Sequence, residues 1–416
     1  MQTNKTHWPS LLILTVFGLG ALVSLLIALG SGIASMIDLI NDNGDPAGKM
    51  ISAFAFGFEM FVLLFCSWFV LQKTMRREQA DQPFNFPFAG WQIVLIMTTA
   101  ILSVAIGGVV AFTQIRWLAW IILPTLTLLV IIPPLWLLFG VGTKGIELGP
   151  RWRVFGIIGL SMTIGPLVMI LLEIIILLGI IIIGLVVIAI QQPALLQELV
   201  RLGKVLEQET NPELILGLVG PYLTSPIVIA AIIGYIAILV PLVEELLKPL
   251  AVWIFATKIE SPAQGFAMGV LSGAAFALIE SLNASADGTS SWPVIVSIRA
   301  GTSLLHMTTS GLVGWGIVSA FREKRILRFF AAYFTSVTLH GIWNACAAGT
   351  GISSIGESIG KPEWLFNYIP ALLSGMFILG VGMFIVLIAS NRKLRNIPAP
   401  LPVPQVEKAE VKEELQ

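Results

Sequence analysis

Charge is scarce in this chain. Of 416 residues only 24 are Lys or Arg and 24 Asp or Glu, 12% together, against 56% hydrophobic residues and a mean hydropathy of +0.91. Soluble domains carry about 25% charged residues, so a chain at half that fraction lacks the polar surface to stay solvated without a bilayer. The formal net charge is zero, which removes the basic footprint that nucleic-acid binding requires, and no nucleic-acid partner is expected. Cysteine is nearly missing too: Cys66 and Cys346 both sit in apolar stretches and offer neither a disulfide framework nor a Cys-rich metal module. There is no Gly-x-Ser-x-Gly elbow, no His-Glu-x-x-His helix and no pair of membrane aspartates.

What fills the chain instead is long apolar runs. A helix needs about 20 mostly apolar residues to cross the hydrocarbon core. Ten stretches qualify, roughly 10–36, 50–72, 92–113, 117–141, 154–190, 225–257, 262–283, 294–320, 329–348 and 364–390. The fold expected is all-α, a polytopic membrane helix bundle of about ten transmembrane helices. The fifth run is too long for one upright crossing; it must tilt, project, or break near Gly165-Pro166. The first run reads as a retained signal anchor.

Basic residues cluster in alternate connections: Lys73, Arg76 and Arg77; Lys144, Arg151 and Arg153; Arg322 to Arg328; and Arg392, Lys393 and Arg395. The positive-inside rule puts all four on the cytoplasmic side, and with them both termini. Leu195, Leu196, Leu199, Leu202 and Leu206 recur at helical intervals, so 191–224 reads as an extracytoplasmic helical insert. The Pro-rich end reads as a disordered cytoplasmic tail. The expected organisation is an accessory transmembrane region over 1–190, the insert over 191–224, a catalytic core over 225–390 and the tail over 391–416.

Only seven charges fall well inside the candidate spans, namely Glu59, Glu173, Glu244, Glu245, Lys248, Glu280 and Arg299, and five of them lie between residues 244 and 299. Each costs about 2.5–3.5 kcal/mol to insert, so each needs a partner, a wet cavity or a function. Glu59 and Glu173 stand alone and read as acids hydrogen-bonded to a neighbouring helix. Glu244 and Lys248, four apart, share a helix face, with Glu245 about 100° around from Glu244. Pro241 and Pro249 flank them and loosen the backbone. Gly265, Gly269, Gly273 and Ala277 form a small-residue stripe for close helix packing. Glu280 and Asn283 follow it on one face. Arg299 precedes His306 by two turns, and His340 precedes Asn344 by one. Of the three histidines only His7 lies outside the membrane. Taken singly, each of these could be a helix cap or a packing residue. Together they supply what amide hydrolysis needs: a carboxylate to take a proton from water, a proton donor for the leaving amine, and a cation or metal for the oxyanion. A proton- or cation-coupled transporter would use the same groups as a relay, although no internal repeat supports one.

Pro241-Leu242-Val243-Glu244-Glu245-Leu246-Leu247-Lys248, Phe276-Ala277-Leu278-Ile279-Glu280, Arg299 with His306, and His340-Gly341-Ile342-Trp343-Asn344 together resemble the PrsW-type intramembrane proteases, over roughly 225–390. The resemblance implies an endopeptidase that cuts a membrane-anchored protein, the best known substrate being an anti-sigma factor, in the plasma membrane of a prokaryote. It implies Glu244, Glu245, Glu280, His306 and His340 as catalytic residues, with Lys248, Asn283, Arg299 and Asn344 binding substrate, stabilising the oxyanion or positioning other groups. One zinc or other divalent metal, held by His306, His340 and Glu280, and a purely acid mechanism are both open. The chain departs from the family pattern at Ser281, where Asn is usual; Asn283 is the nearest substitute. The prenyl-protein (CAAX-type) and bacteriocin-processing proteases carry a Glu-Glu-x-x-x-Arg helix and are the alternative; Lys248 sits one position earlier than their Arg.

Overall fold

The computed structural model describes residues 8–358 and 367–396. His7, residues 359–366 and most of the expected tail lie outside them. Among the described residues there is no strand; the chain runs as α1 (Trp8–Ile40), α2 (Pro46–Thr74), α3 (Trp91–Phe112), α4 (Arg116–Gly142), α5 (Arg151–Met162), α6 (Ile164–Gln191), α7 (Pro193–Leu206), α8 (Pro212–Leu223), α9 (Pro226–Gly234), α10 (Val240–Leu247), α11 (Leu250–Phe255), α12 (Pro262–Ala284), α13 (Trp292–Glu323), α14 (Ile326–Ser358) and α15 (Ile369–Arg395). Nine helical stretches of the described chain are long and apolar enough to cross a membrane. At 33 residues, α14 is long enough to be a tenth, but His340, Asn344 and its hydroxyls leave it too polar to count on apolarity alone. The protein is an integral membrane helix bundle.

The fifth run breaks at Thr163, whose φ of −120° and ψ of −79° separate α5 from α6. The break falls just before Gly165-Pro166, because proline is tolerated in the first turn of a new helix and not inside a continuing one. The two halves then differ. α5 is packed into the bundle, while α6 turns its isoleucines and leucines outward as a lipid-facing helix.

The four basic connections meet at one end of the molecule. Arg151 N–H donates to Gln82 O, the Arg153 guanidinium to Lys258 O, Arg322 to Thr257 O and Ile259 O, and the Asn391 amide to Gly142 O and Lys144 O. At the other end Arg116 pairs with Asp42, and Asp45 accepts from Gly288 N–H. The leucine pattern of 191–224 folds as α7 and α8, tied together by the Tyr222 hydroxyl donating to Glu198.

At the centre α12 and α13 lie almost backbone to backbone. A Cβ on Gly265, Gly269 or Gly273 would strike the carbonyls of Gly314, Ser310 or His306. The small-residue stripe therefore does what its spacing predicts. It also lays the His306 turn of α13 against the stretch of α12 that ends in Glu280. On the other flank of α12, the Ser161 and Ser272 hydroxyls meet at 2.7 Å and fix α5 against it.

Candidate active site

The segment carrying Glu244 and Glu245 is irregular where a uniform helix would be useless. Residues Tyr235–Leu239 form a π turn, followed by Pro241, which has no N–H to return to the preceding turn. Groups from α14 reach the carbonyls on both sides of this proline. Asn344 Nδ2 donates to Ile236 O at 3.0 Å, Tyr333 donates to Leu242 O at 2.7 Å, and Gly341 lets the α14 backbone come up against Ala237 O. Pro249 ends α10 in the same way: Ser272 donates to Lys248 O at 2.7 Å and Trp253 to Leu246 O at 3.0 Å. The His-Gly-x-x-Asn pattern is thus a docking device that delivers His340.

Around Lys248 Nζ stand Glu245 Oε1 at 2.6 Å, His306 Nδ1 at 2.8 Å, Glu244 Oε2 at 3.2 Å and His340 Nδ1 at 3.3 Å. Lys248 and Glu245 are fully buried. His306 Nε2 lies 2.5 Å from Glu280 Oε2, and Glu280 Oε1 pairs with Arg299 at 2.9 Å. Phe276 packs edge-on to His306, with ring centroids 5.0 Å apart, and offers its face to Lys248 at 5.4 Å.

Counting protons assigns both histidine tautomers. An ammonium only donates, so His306 Nδ1 must accept from Lys248, and His306 Nε2–H then donates to Glu280. His340 Nδ1 is 2.8 Å from Glu245 Oε1, a separation at which two acceptors would repel, so it carries the proton and donates to the carboxylate. That leaves the Nε2 lone pair of His340 free. It lies 3.8 Å from Glu244 Oε2, a buried oxygen that receives no directed hydrogen bond from the described residues. Both residues line a cavity of about 320 Å³ walled by Arg299, Thr302, His306, Trp343 and Asn344.

Of the nine residues expected at the site, eight converge on this cluster. Glu244, Glu280, Arg299, His306, His340 and Asn344 line the cavity, while Glu245 and Lys248 lie buried beneath it. Asn283 turns away: its Nδ2 donates to Glu59 Oε1 at 2.9 Å on α2. Glu280 is committed to His306 and Arg299, and the three groups close enough to share one metal are Glu244, His306 and His340, with ligand atoms within 4.8 Å of one another. The sequence grouped Glu280 with the two histidines as possible metal ligands; by distance it is Glu244 that groups with them. One carboxylate and two neutral imidazoles suit zinc, and the His340 Nε2 lone pair is free for it. The other two donors, Glu244 Oε2 and His306 Nδ1, are both held by the Lys248 ammonium, which an ion would have to displace. Sequence reasoning missed Glu59 as the partner of Asn283 and Tyr333 as a prop of the Glu244 turn; neither residue type announces such a role.

No curated protein and no solved structure matches the chain. A family model, described as PrsW family intramembrane metalloprotease, matches residues 169–387, just over half of the 416 residues, beginning within α6 and running to the last turns of α15. With its cluster of Glu, Lys and His buried among membrane helices, the chain belongs to the PrsW family and is a membrane-embedded protease.

Proposed function

We propose that Glu244 activates water for hydrolysis of a peptide bond in a membrane-anchored protein, within the cavity shared by α10, α12, α13 and α14. The observation that carries this reading is Glu244 Oε2, held by the Lys248 ammonium at 3.2 Å and facing the free Nε2 of His340 at 3.8 Å on the cavity wall. A water between them gives a proton to Glu244 as its oxygen bonds to the scissile carbonyl carbon. The developing oxyanion is met by Arg299, whose Nε has no partner among the described residues. Glu244 then passes the proton to the amide nitrogen as the C–N bond breaks. Glu245 and Lys248 act beneath the cavity: they fix the His340 tautomer and hold the buried charge balanced. Glu280 orients His306 in the same way and holds Arg299 at the cavity wall.

Glu244, His306 and His340 are the residues that would hold a metal, Glu244 then serving as ligand in place of base, and the metal when bound would lower the pKa of a water and polarise the carbonyl. The division into an accessory region over 1–190, an insert over 191–224 and a catalytic core over 225–390 is kept as the working organisation; the family match over 169–387 supports the core and draws α6 toward it. By family resemblance the substrate is of the anti-sigma-factor kind and the membrane is the plasma membrane of a prokaryote. The test is cleavage of a membrane-anchored reporter library in proteoliposomes. Glu244→Gln is expected to lose at least about 10²-fold in kcat with substrate binding retained, the scale for a lost general base; unchanged kcat would overturn the assignment.

A further inference from the structure

A second cavity, of about 560 Å³, lies on the opposite side of α12 from the catalytic cluster. Leu271, Ala274, Ala275 and Leu278, spaced at three and four, form its α12 wall, whereas Gly273, Phe276 and Glu280 lie about 180° around the helix. Much of the rest is aromatic, with Phe58, Phe65 and Phe69 of α2, Trp136 and Phe139 of α4, and Phe155 of α5. Phe65 and Trp136 are 48% and 39% exposed, so the slot opens sideways onto the lipid-facing surface between α2 and α4. From Phe58 to Phe69 the α2 wall is about 16 Å long, one leaflet of a hydrocarbon core about 30 Å thick.

The slot ends at the basic end of the molecule beside Arg151 and Asn85. Neighbouring arginines there are committed: Arg153 to Lys258 O and Gln264, Arg322 to two carbonyls. The Arg151 guanidinium makes no hydrogen bond or ion pair with the described residues, and neither does the Asn85 side chain. A polar basin of about 650 Å³ adjoins the slot through Phe84, Asn85 and Phe86, and adds Lys144 and Glu147. An apolar slot one leaflet deep, closed at headgroup level by an uncommitted guanidinium, has the charge and shape of a lipid with a negative headgroup.

We infer that this is a binding site for one anionic glycerophospholipid, with an acyl chain in the aromatic slot, the phosphate on Arg151 and Asn85, and the headgroup in the basin beside Lys144. It is independent of the catalytic reading, since none of its residues touches the cavity holding Glu244. The test is native mass spectrometry of the full chain released from detergent with phosphatidylglycerol or phosphatidylcholine of identical chains. One phosphatidylglycerol should be retained with about tenfold preference, the scale of one charge-assisted phosphate contact. Arg151→Gln should bring the preference close to unity, Arg151→Lys should keep most of it, and Ala275→Phe, which fills the slot, should lower retention of both lipids. Phosphatidylglycerol brominated along its chain should quench the emission that Trp136→Phe removes. Equal retention of the two lipids by the unaltered protein, an undiminished preference in Arg151→Gln, or unquenched Trp136 would each overturn the site. So would displacement of the lipid by an apolar helical peptide.

Discussion

Lys248 Nζ and Glu245 Oε1 form a fully buried ion pair 2.6 Å long in the middle of the bundle, with His306 Nδ1 accepting from the ammonium and His340 Nδ1 donating to the carboxylate. Taking one partner away strands the other. Lys248→Met is expected to cost about 3–5 kcal/mol, the usual penalty for an uncompensated buried charge, whereas Lys248→Met combined with Glu245→Leu should recover part of it. Thermal unfolding in one detergent measures both, and equal losses in the single and double variants would refute the pairing.

The same ammonium occupies the lone pair of His306 that a metal would use. Zinc uptake by the purified protein is therefore expected to rise with pH across neutrality, because binding has to displace protons from the site. Lys248→Gln should bind zinc more tightly than the unaltered protein, and His340→Ala more weakly. Isothermal titration against zinc at several pH values reads all three; affinity falling with pH would contradict the arrangement.

Gly341 faces the Ala237 carbonyl with no room for a Cβ. Gly341→Ala should push α14 off the π turn, cost about 1–3 kcal/mol as overpacking does, and reduce proteolysis with little change in substrate binding. Gly18→Ala, where nothing lies within 4 Å, is the matched control and should be silent. A silent Gly341→Ala would show that the close approach does not matter.

Asn344 caps Ile236 O. Asn344→Ala leaves that carbonyl unsatisfied, at a cost of about 1–3 kcal/mol, and should speed hydrogen exchange over residues 235–241 while exchange in α12 is unaffected. Uniform acceleration would indicate global loosening instead.

Glu59 accepts from Asn283 across 224 residues of sequence. Glu59→Gln can keep a hydrogen bond there and should be nearly neutral, whereas Glu59→Leu leaves Asn283 Nδ2 only its bond to Ile279 O and should destabilise by about 1 kcal/mol. Comparing the two melting temperatures decides whether Glu59 has more than a structural part.

Spans and site were legible for different reasons. Runs of apolar residues identify membrane helices because lipid tolerates little else, and buried Glu, Lys and His stood out against that background as groups needing partners. Lys248 could be paired with Glu244 by spacing alone. Which of the adjacent Glu244 and Glu245 faces the cavity could not be read, since they differ only in which way the π turn rotates them, and α and π turns use the same residues. Asn283 was expected to act with Glu280 through their spacing on one helix face, yet its partner sits on a helix that no local pattern connects to it. The aromatic slot was equally hidden: its phenylalanines come from helices far apart in sequence and acquire meaning only once packed.

His340, Gly341 and Asn344 come last among the residues that complete the cluster, a hundred positions after Glu244 and Glu245. Until α14 has been inserted, the carbonyl of Ile236 lacks its Asn344 cap, His340 is missing from the buried Lys248–Glu245 pair, and the cavity lacks a wall. On the proposed assignment a chain without α14 holds an incomplete site, so the cluster closes only late in synthesis, once α14 packs against α10.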